Sequence, residues 1–404
     1  MATFLYFCLP FVGHIHPAMA LVSELRALDH EVIFCTSNKR RTMFQDAGLA
    51  IRGIDLSRLE ALIGHPHPGR HLIPSIIADT RTVINPCLAI IKEVKPSLVI
   101  TEPLAAWGSL VAKTTHIPLV IAHTTFVQNA EYNLVRKQQD LSGQRGRSWA
   151  MSNIPKVATK IAYEMLRLHL SQNVDTWNPR KLLRPAGDLH VAAIPAALQP
   201  GSENLDERYN LTGPWLRKAA AAPHEESIAV SDQPLIYIAL GTVFTNKPPL
   251  FHACIEAVAD MPVRVVISSG NFQLDSVPSN CEVFPFVDQI AILRQASAFL
   301  THGGPSSVFE SAICGVPMVA MPHMGDQRVL SDMIERYGAG IVIKDEIPNA
   351  GKIKQALESV LNDDSFRQNT RNLGKICLEG GGARRAAILI DDFQRDYLDK
   401  PNVA

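Results

Sequence analysis

The 404-residue sequence carries no formal net charge, with 39 Lys and Arg against 39 Asp and Glu. That balance removes the electrostatic case for nucleic acid or an anionic membrane surface as the main partner. No run reaches the roughly 18 uninterrupted apolar residues of a membrane-crossing helix. The opening MATFLYFCLPFVGHIHP has neither the basic n-region nor the small-residue cleavage site of a signal peptide. No Cys-x-x-Cys pair occurs. The seven cysteines (Cys8, Cys35, Cys87, Cys254, Cys281, Cys314 and Cys377) are odd in number, scattered and mostly set in apolar runs. They predict buried free thiols in a reducing compartment rather than disulfides. No Asp-x-Asp metal motif is present. The first apolar run leads into LPFVGHIHP rather than Gly-x-Gly-x-x-Gly, which ranks a dinucleotide-dependent oxidoreductase last. The expectation is a soluble, cytoplasmic protein with no integral membrane segment, no nucleic-acid partner and no metal.

What is present is enough hydrophobic sequence, 47%, for two domains with full cores. Thr3–Leu9 is a nearly continuous apolar run, as a strand covered on both faces requires. After a turn at Pro10–His16, Pro17 suits the first turn of a helix, and Ala18, Leu21, Val22, Leu25 and Leu28 recur at helical spacing. Glu31–Thr36, Leu98–Thr101 and Leu119–Ala122 read as further strands, with a helix around Trp107–Thr114. Ile63–Pro74 and Lys137–Arg147 read as surface loops. Gly213–Pro234, Ala-rich, charged and Pro-flanked, reads as a connecting segment. The rhythm then restarts with strands at Leu235–Leu240, Val263–Ser268, Cys281–Phe284, Ala298–Thr301 and Val316–Met321, a helix near Phe251–Ala259, and a last helix after the glycines at 380–382. Strand–helix alternation of this kind predicts an α/β protein of two parallel-sheet halves facing across a cleft.

The densest motif is THGGPSSVFE. The strand Ala298–Thr301 ends at His302, and Gly303 and Gly304 permit close backbone approach. Ser306 or Ser307 then caps a helix whose free amides form an anion site, to which His302 adds a donor. Ser307-Val308-Phe309-Glu310 also reads as a capping box, which needs no ligand. Glu310, one turn into the helix, is placed to accept the vicinal hydroxyls of a ribose. Asp326-Gln327 supplies both acceptors and donors for sugar hydroxyls. Near the start, His14 lies in a turn after the first strand, where a neutral imidazole can take a hydroxyl proton; His16 can equally be a helix cap.

Taken in order, Gly13–Pro17, Leu240–Phe244, Phe286–Gln289, His302–Glu310, Gly315–Pro317, Asp326-Gln327 and the closing GGGARRAA resemble family 1 nucleotide-sugar glycosyltransferases of the GT-B fold, of the bacterial macrolide-glycosyltransferase type. The resemblance spans nearly the whole chain. It implies two Rossmann-like domains: an acceptor-binding domain over 1–213, a linker over 214–233, a nucleotide-sugar domain over 234–385, and a terminal helix over 386–404 packing back on the first domain. It assigns His14 as the base for the acceptor hydroxyl, with Glu102 where the family has the base's Asp partner. Thr242, His302, Gly304, Ser306 and Ser307 match diphosphate contacts. Phe286, Val287 and Gln289 match nucleoside contacts, Glu310 the ribose carboxylate, and Asp326-Gln327 the donor-sugar pair. Phe286 stands where plant members have Trp, and Pro305 removes a backbone N–H at another of their Trp positions.

The resemblance implies an inverting, metal-independent transfer of a hexose, glucose by default, from a UDP-sugar (or a dTDP-sugar) to a hydroxyl of a hydrophobic small molecule, by a monomer or homodimer. Phe11, Trp107, Ile63–Ile77 and Phe126–Ile154 are the candidate acceptor-pocket segments. Competing readings are another GT-B enzyme, such as a hexosaminyl transferase on a lipid carrier or a nucleotide-sugar epimerase, and a catalytically silent binding homologue.

Overall fold

The computed structural model describes residues 1–65, 68–132, 143–172, 178–217, 232–241, 248–270, 277–323, 325–345 and 347–399. The chain divides into two units. One comprises Met1–Ile63, His67–Trp215 and Gly380–Ala404; the other is built on Leu216–Glu379. The segment 218–231, most of the expected linker, lies outside the described residues.

In the first unit the described strands are β1 (Thr3–Phe7), β2 (Glu31–Ser37), β3 (Ala50–Ile54), β4 (Leu98–Thr101), β5 (Leu119–His123), β6 (Leu189–Ala192) and β7 (Tyr209–Leu211). They form one sheet in the order β3-β2-β1-β4-β5-β6-β7. Every pairing is parallel, with Phe4 opposite Val32 on one side and Leu98 on the other. Helices cover both faces, which is why β4 and β5 are buried at every position.

The second unit repeats the plan with β8 (Leu235–Ala239), β9 (Arg264–Ser268), β10 (Cys281–Phe284), β11 (Ala298–Thr301), β12 (Met318–Ala320) and β13 (Gly340–Val342). Their order is β10-β9-β8-β11-β12-β13, again all parallel. In each sheet the chain reverses its direction of travel once, between β1 and β4 and between β8 and β11. Connections depart to opposite sides there, opening a crevice beyond the carboxyl ends of those strands, where open α/β sheets collect ligands.

Three expectations need correction. The helix after β1 spans Val12–Arg26, so His14 is on its first turn rather than in a loop, Phe11 is its N-cap, and His16 does not cap it. Pro17 therefore sits inside the helix, at the cost of one backbone hydrogen bond. The presumed loop from Ile63 gives way to a helix over Pro68–Val94 that contains Pro74 and Pro86. Burial of Ile76, Ile77, Val83, Ile84, Cys87 and Ile91 along one stripe outweighs those prolines. A helix over Gly143–Gln172 likewise replaces the end of the Lys137–Arg147 loop, whose residues 137–142 lie outside the described set.

The helix Gly382–Asp399 belongs to the first unit. Its Ala383, Ala386, Ala387 and Ile390 join Leu21, Val22, Leu25 and Trp215 in one core cluster. Asp391 accepts from buried His30 at 3.0 Å. The chain re-enters this unit through a tight pass: a Cβ on Gly380 would lie 2.4 Å from the Thr212 carbonyl. All seven cysteines are free, six of them buried. Among the described residues no helix is long and apolar enough to cross a membrane.

Candidate active site

The first unit's crevice holds a coupled set of side chains. β1 delivers Cys8 and, one helical turn on, His14; Glu102 directly follows β4, and Thr124 follows β5. His14 Nδ1 lies 2.5 Å from Glu102 Oε2 and 3.0 Å from Thr124 Oγ1. Glu102 is 1% exposed and His14 23%. The second Glu102 oxygen accepts from the Cys8 thiol at 3.1 Å. Burial, and then the Glu102 charge, push the Cys8 thiol well above its usual range, so it acts as a neutral donor. With Nδ1–H donating to Glu102, the basic lone pair of His14 is at Nε2. The extra methylene of Glu relative to Asp therefore closes the gap to His14 instead of breaking the pair.

A pocket opens at this pair. Its walls include Leu104, Phe126, Leu183, Pro185 and Tyr209, and its polar lining includes His14, Glu102, His123, Gln128, Arg184 and His190. Apolar walls with a few convergent polar groups suit a small, largely hydrophobic molecule. Phe126 is in the pocket as expected, whereas Trp107 is wholly buried and cannot touch a ligand. Phe11 is nearly buried and tilts against the His14 ring, centroids 6.0 Å apart.

The second crevice is organised by glycine. Gly241 after β8, at φ +91°, and Gly304 flank the His302 imidazole; a Cβ at either position would come within 3.0 Å and 2.5 Å of Nε2. Burial lowers the His302 pKa to about 4, so it is a neutral ring. The helix Pro305–Cys314 begins here with Gly304 as N-cap, Pro305 at N1 and no side-chain cap. The capping-box expectation therefore fails: Ser306 and Ser307 lie inside the first turn. Pro305 costs little, because the N1 amide would have been an orphan in any case.

Gln289 bridges this helix to its neighbours. Its amide donates to Glu310 Oε2 at 2.6 Å and to Ser307 Oγ at 3.4 Å, while its carbonyl accepts from Tyr237 OH at 3.4 Å. Desolvation raises the Glu310 pKa to about 7 despite Gln289 and the Arg217 charge. Phe286 projects from the loop after β10, 59% exposed, followed by half-buried Val287. Asp326 and Gln327 occupy the first turn of the helix Gly325–Arg336. Gln327 is buried, with its carbonyl accepting from the His323 amide at 2.8 Å. Thr242 lies outside the described residues. Sequence reasoning missed Cys8, Thr124, His123 and His190; the polar triplet His123-Thr124-Thr125 closing an apolar strand was the available signal.

Two family models match the chain. Residues 217–379 match UDP-glucoronosyl and UDP-glucosyl transferase, and residues 12–123 match the glycosyltransferase family 28 N-terminal domain. The chain is 25% identical over 410 residues to the NDP-glycosyltransferase YjiC of Bacillus subtilis (strain 168), covering 96% of both chains. It is 24% identical over 418 residues to the oleandomycin glycosyltransferase of Streptomyces antibioticus, covering 97% of this chain and 92% of the relative. The crystal structure of CalG4, the calicheamicin glycosyltransferase, matches with a TM-score of 0.77 at 24% identity, over 99% of this chain and 100% of that one.

Proposed function

We propose that this chain is a nucleotide-sugar glycosyltransferase of the GT-B fold that moves a hexose, glucose by default, from UDP to a hydroxyl of a hydrophobic natural-product acceptor. The observation that carries this reading is the 2.5 Å His14–Glu102 pair in the lining of a pocket that also presents Leu104, Phe126 and Leu183. A relative whose name specifies oleandomycin supports an acceptor of the macrolide or similar class.

The transfer is one inverting displacement. His14 Nε2 takes the acceptor's hydroxyl proton as that oxygen attacks the anomeric carbon. The bond from that carbon to the diphosphate oxygen breaks on the opposite face, and UDP departs with the electron pair. Glu102 holds the imidazole in the tautomer that leaves Nε2 basic and offsets the charge it gains. On the donor side, the uncapped start of Pro305–Cys314 offers amides and a positive dipole end to the diphosphate, and this stabilises the leaving group's growing charge without a metal. Neutral His302 contributes a hydrogen bond rather than a cation. Glu310, as a carboxylate, accepts from the ribose hydroxyls; Phe286, Val287 and Gln289 face the base, and Asp326-Gln327 the sugar.

Replacing His14 with Ala tests the assignment. Transfer read by mass spectrometry should fall about 10²–10⁴-fold, the usual worth of a general base, while UDP affinity is kept. Full transfer by His14→Ala would remove His14 as the base.

A further inference from the structure

Two histidines in the first unit's pocket are unused by the mechanism above. His190 on β6 and His123 at the end of β5 are both buried, with His123 Nε2 3.0 Å from His190 Nδ1. Their protonation is set by a third group. The Gly187 backbone N–H donates to His190 Nε2 at 3.2 Å. A backbone amide is always a donor, so that nitrogen carries a lone pair and the His190 proton is on Nδ1. That proton is donated to His123 Nε2, which leaves the His123 proton on Nδ1. Both rings are neutral: desolvation lowers the His190 pKa to about 4 and holds His123 well below its usual value. Tyr209 stacks on His190 with centroids 4.0 Å apart and fixes the ring plane.

We infer that His123 presents a fixed Nδ1–H to the acceptor pocket and recognises acceptors that carry a second, hydrogen-bond-accepting oxygen besides the hydroxyl to be glycosylated. The inference rests on the reading of this pocket as the acceptor site. His123 lines the same pocket as His14, and its chain neighbour Thr124 contacts His14 Nδ1. One strand end therefore touches both the base and the recognition point. Among the described residues no group accepts from His123 Nδ1. A neutral donor whose tautomer is locked can only donate, so an acceptor must place an oxygen lone pair there (carbonyl, ether or hydroxyl), and groups without one are selected against. An acceptor with only a methylene there leaves a desolvated N–H unpaired, the situation that gives polar sites their strongest discrimination.

The test pairs three hydroxyacetophenones (ortho, meta and para) with the three matching ethylphenols, each measured for binding by calorimetry and for transfer from UDP-glucose. Wild-type protein is expected to bind at least one ketone about 10-fold or more tightly than its ethyl counterpart. His123→Phe, which keeps ring bulk but has no donor, is expected to lose that preference, while His123→Asn restores part of it. Circular dichroism and thermal unfolding of each variant against wild type report folding of the unit that carries His123; if the Phe variant does not fold, His123→Leu carries the same comparison. Equal wild-type affinity for ketone and ethyl partners, no binding of either, or a preference that survives in the donor-less variant overturns the inference. A ketone preference governed by residue 123 with no transfer to any of the six leaves recognition standing and overturns the transferase reading of the pocket.

Discussion

Glu102→Gln separates orientation from mere occupancy, because it changes charge with almost no change in shape. The Glu102 carboxylate is 1% exposed, with one oxygen on the Cys8 thiol and the other 2.5 Å from His14 Nδ1. In the variant, the amide oxygen keeps the Cys8 contact and the NH2 group faces His14. Two donors cannot share that contact, so Nδ1 must become the acceptor and Nε2 must carry the proton, the tautomer that cannot act as base. The loss has two parts. A hydrogen bond to a charged group is worth about 1.5–3 kcal/mol. The attraction between imidazolium and carboxylate, with charge centres about 4 Å apart at an effective dielectric near 20, bounds the whole at about 4 kcal/mol. At about 1.36 kcal/mol per decade, kcat should fall about 10–10³-fold. KM for the nucleotide sugar should stay the same, since Glu102 is in the unit that does not bind it in this scheme. Steady-state UDP release, coupled to acceptor and measured beside UDP affinity, gives both quantities. Glu102→Asp withdraws the carboxylate by about 1.5 Å, one bond length, and should also lose activity. A Gln variant with kcat within about threefold of wild type would refute the orienting role.

Other expectations follow from the same contacts. Cys8→Ala should lower kcat about fivefold by releasing one Glu102 oxygen, roughly one hydrogen bond's worth, with Cys8→Ser recovering most of it in the same UDP-release assay. For Glu310, the folded pKa of about 7 lies above the ordinary 4.5. Folding therefore favours the protonated form, and the stability this confers is complete below pH 4.5 and lost as pH rises through 7. Glu310→Gln should be more stable than wild type at pH 8 by on the order of 3 kcal/mol and indistinguishable below pH 4.5, by urea denaturation; its UDP affinity should be weaker above pH 7. Gly304→Ala drives a Cβ to 2.5 Å from His302 Nε2, so it should destabilise by about 1–3 kcal/mol and weaken UDP binding by calorimetry.

The α/β class and the position of β1, β4, β5, β8 and β11 were legible because strands buried on both faces are nearly unbroken apolar runs. β3, AIRGI, was not, because an edge strand with one exposed face dilutes its signal with Arg52 and Gly53. The helix over Pro68–Val94 was hidden by its prolines, whose local cost the buried stripe overrides. At the site, the residue order around His302 pointed to a helix-start anion site. The wrong detail was the cap: serines at N2 and N3 look like a capping box in sequence, and only the backbone shows that Gly304 holds that place. The Cys8–Glu102–His14 set joins residues 88 and 94 positions apart, and no local pattern reports such a meeting.

The helix Gly382–Asp399 has a consequence for synthesis. It completes the core of the first unit, and the His30–Asp391 contact spans 361 positions. At about 5–20 residues per second, a ribosome needs roughly 20–70 s to make Asp391 after His30. Throughout that interval, Leu21, Val22 and Leu25 lack the alanine face that covers them. The unit holding His14 and Glu102 is begun first yet finished last, whereas the other unit, apart from the short piece Gly64–Pro66, is the single stretch Leu216–Glu379 and can close while the earlier one is still waiting. A nascent chain stalled near Glu379 should therefore expose its older half to chaperones and proteases, and the younger half should be the protected one.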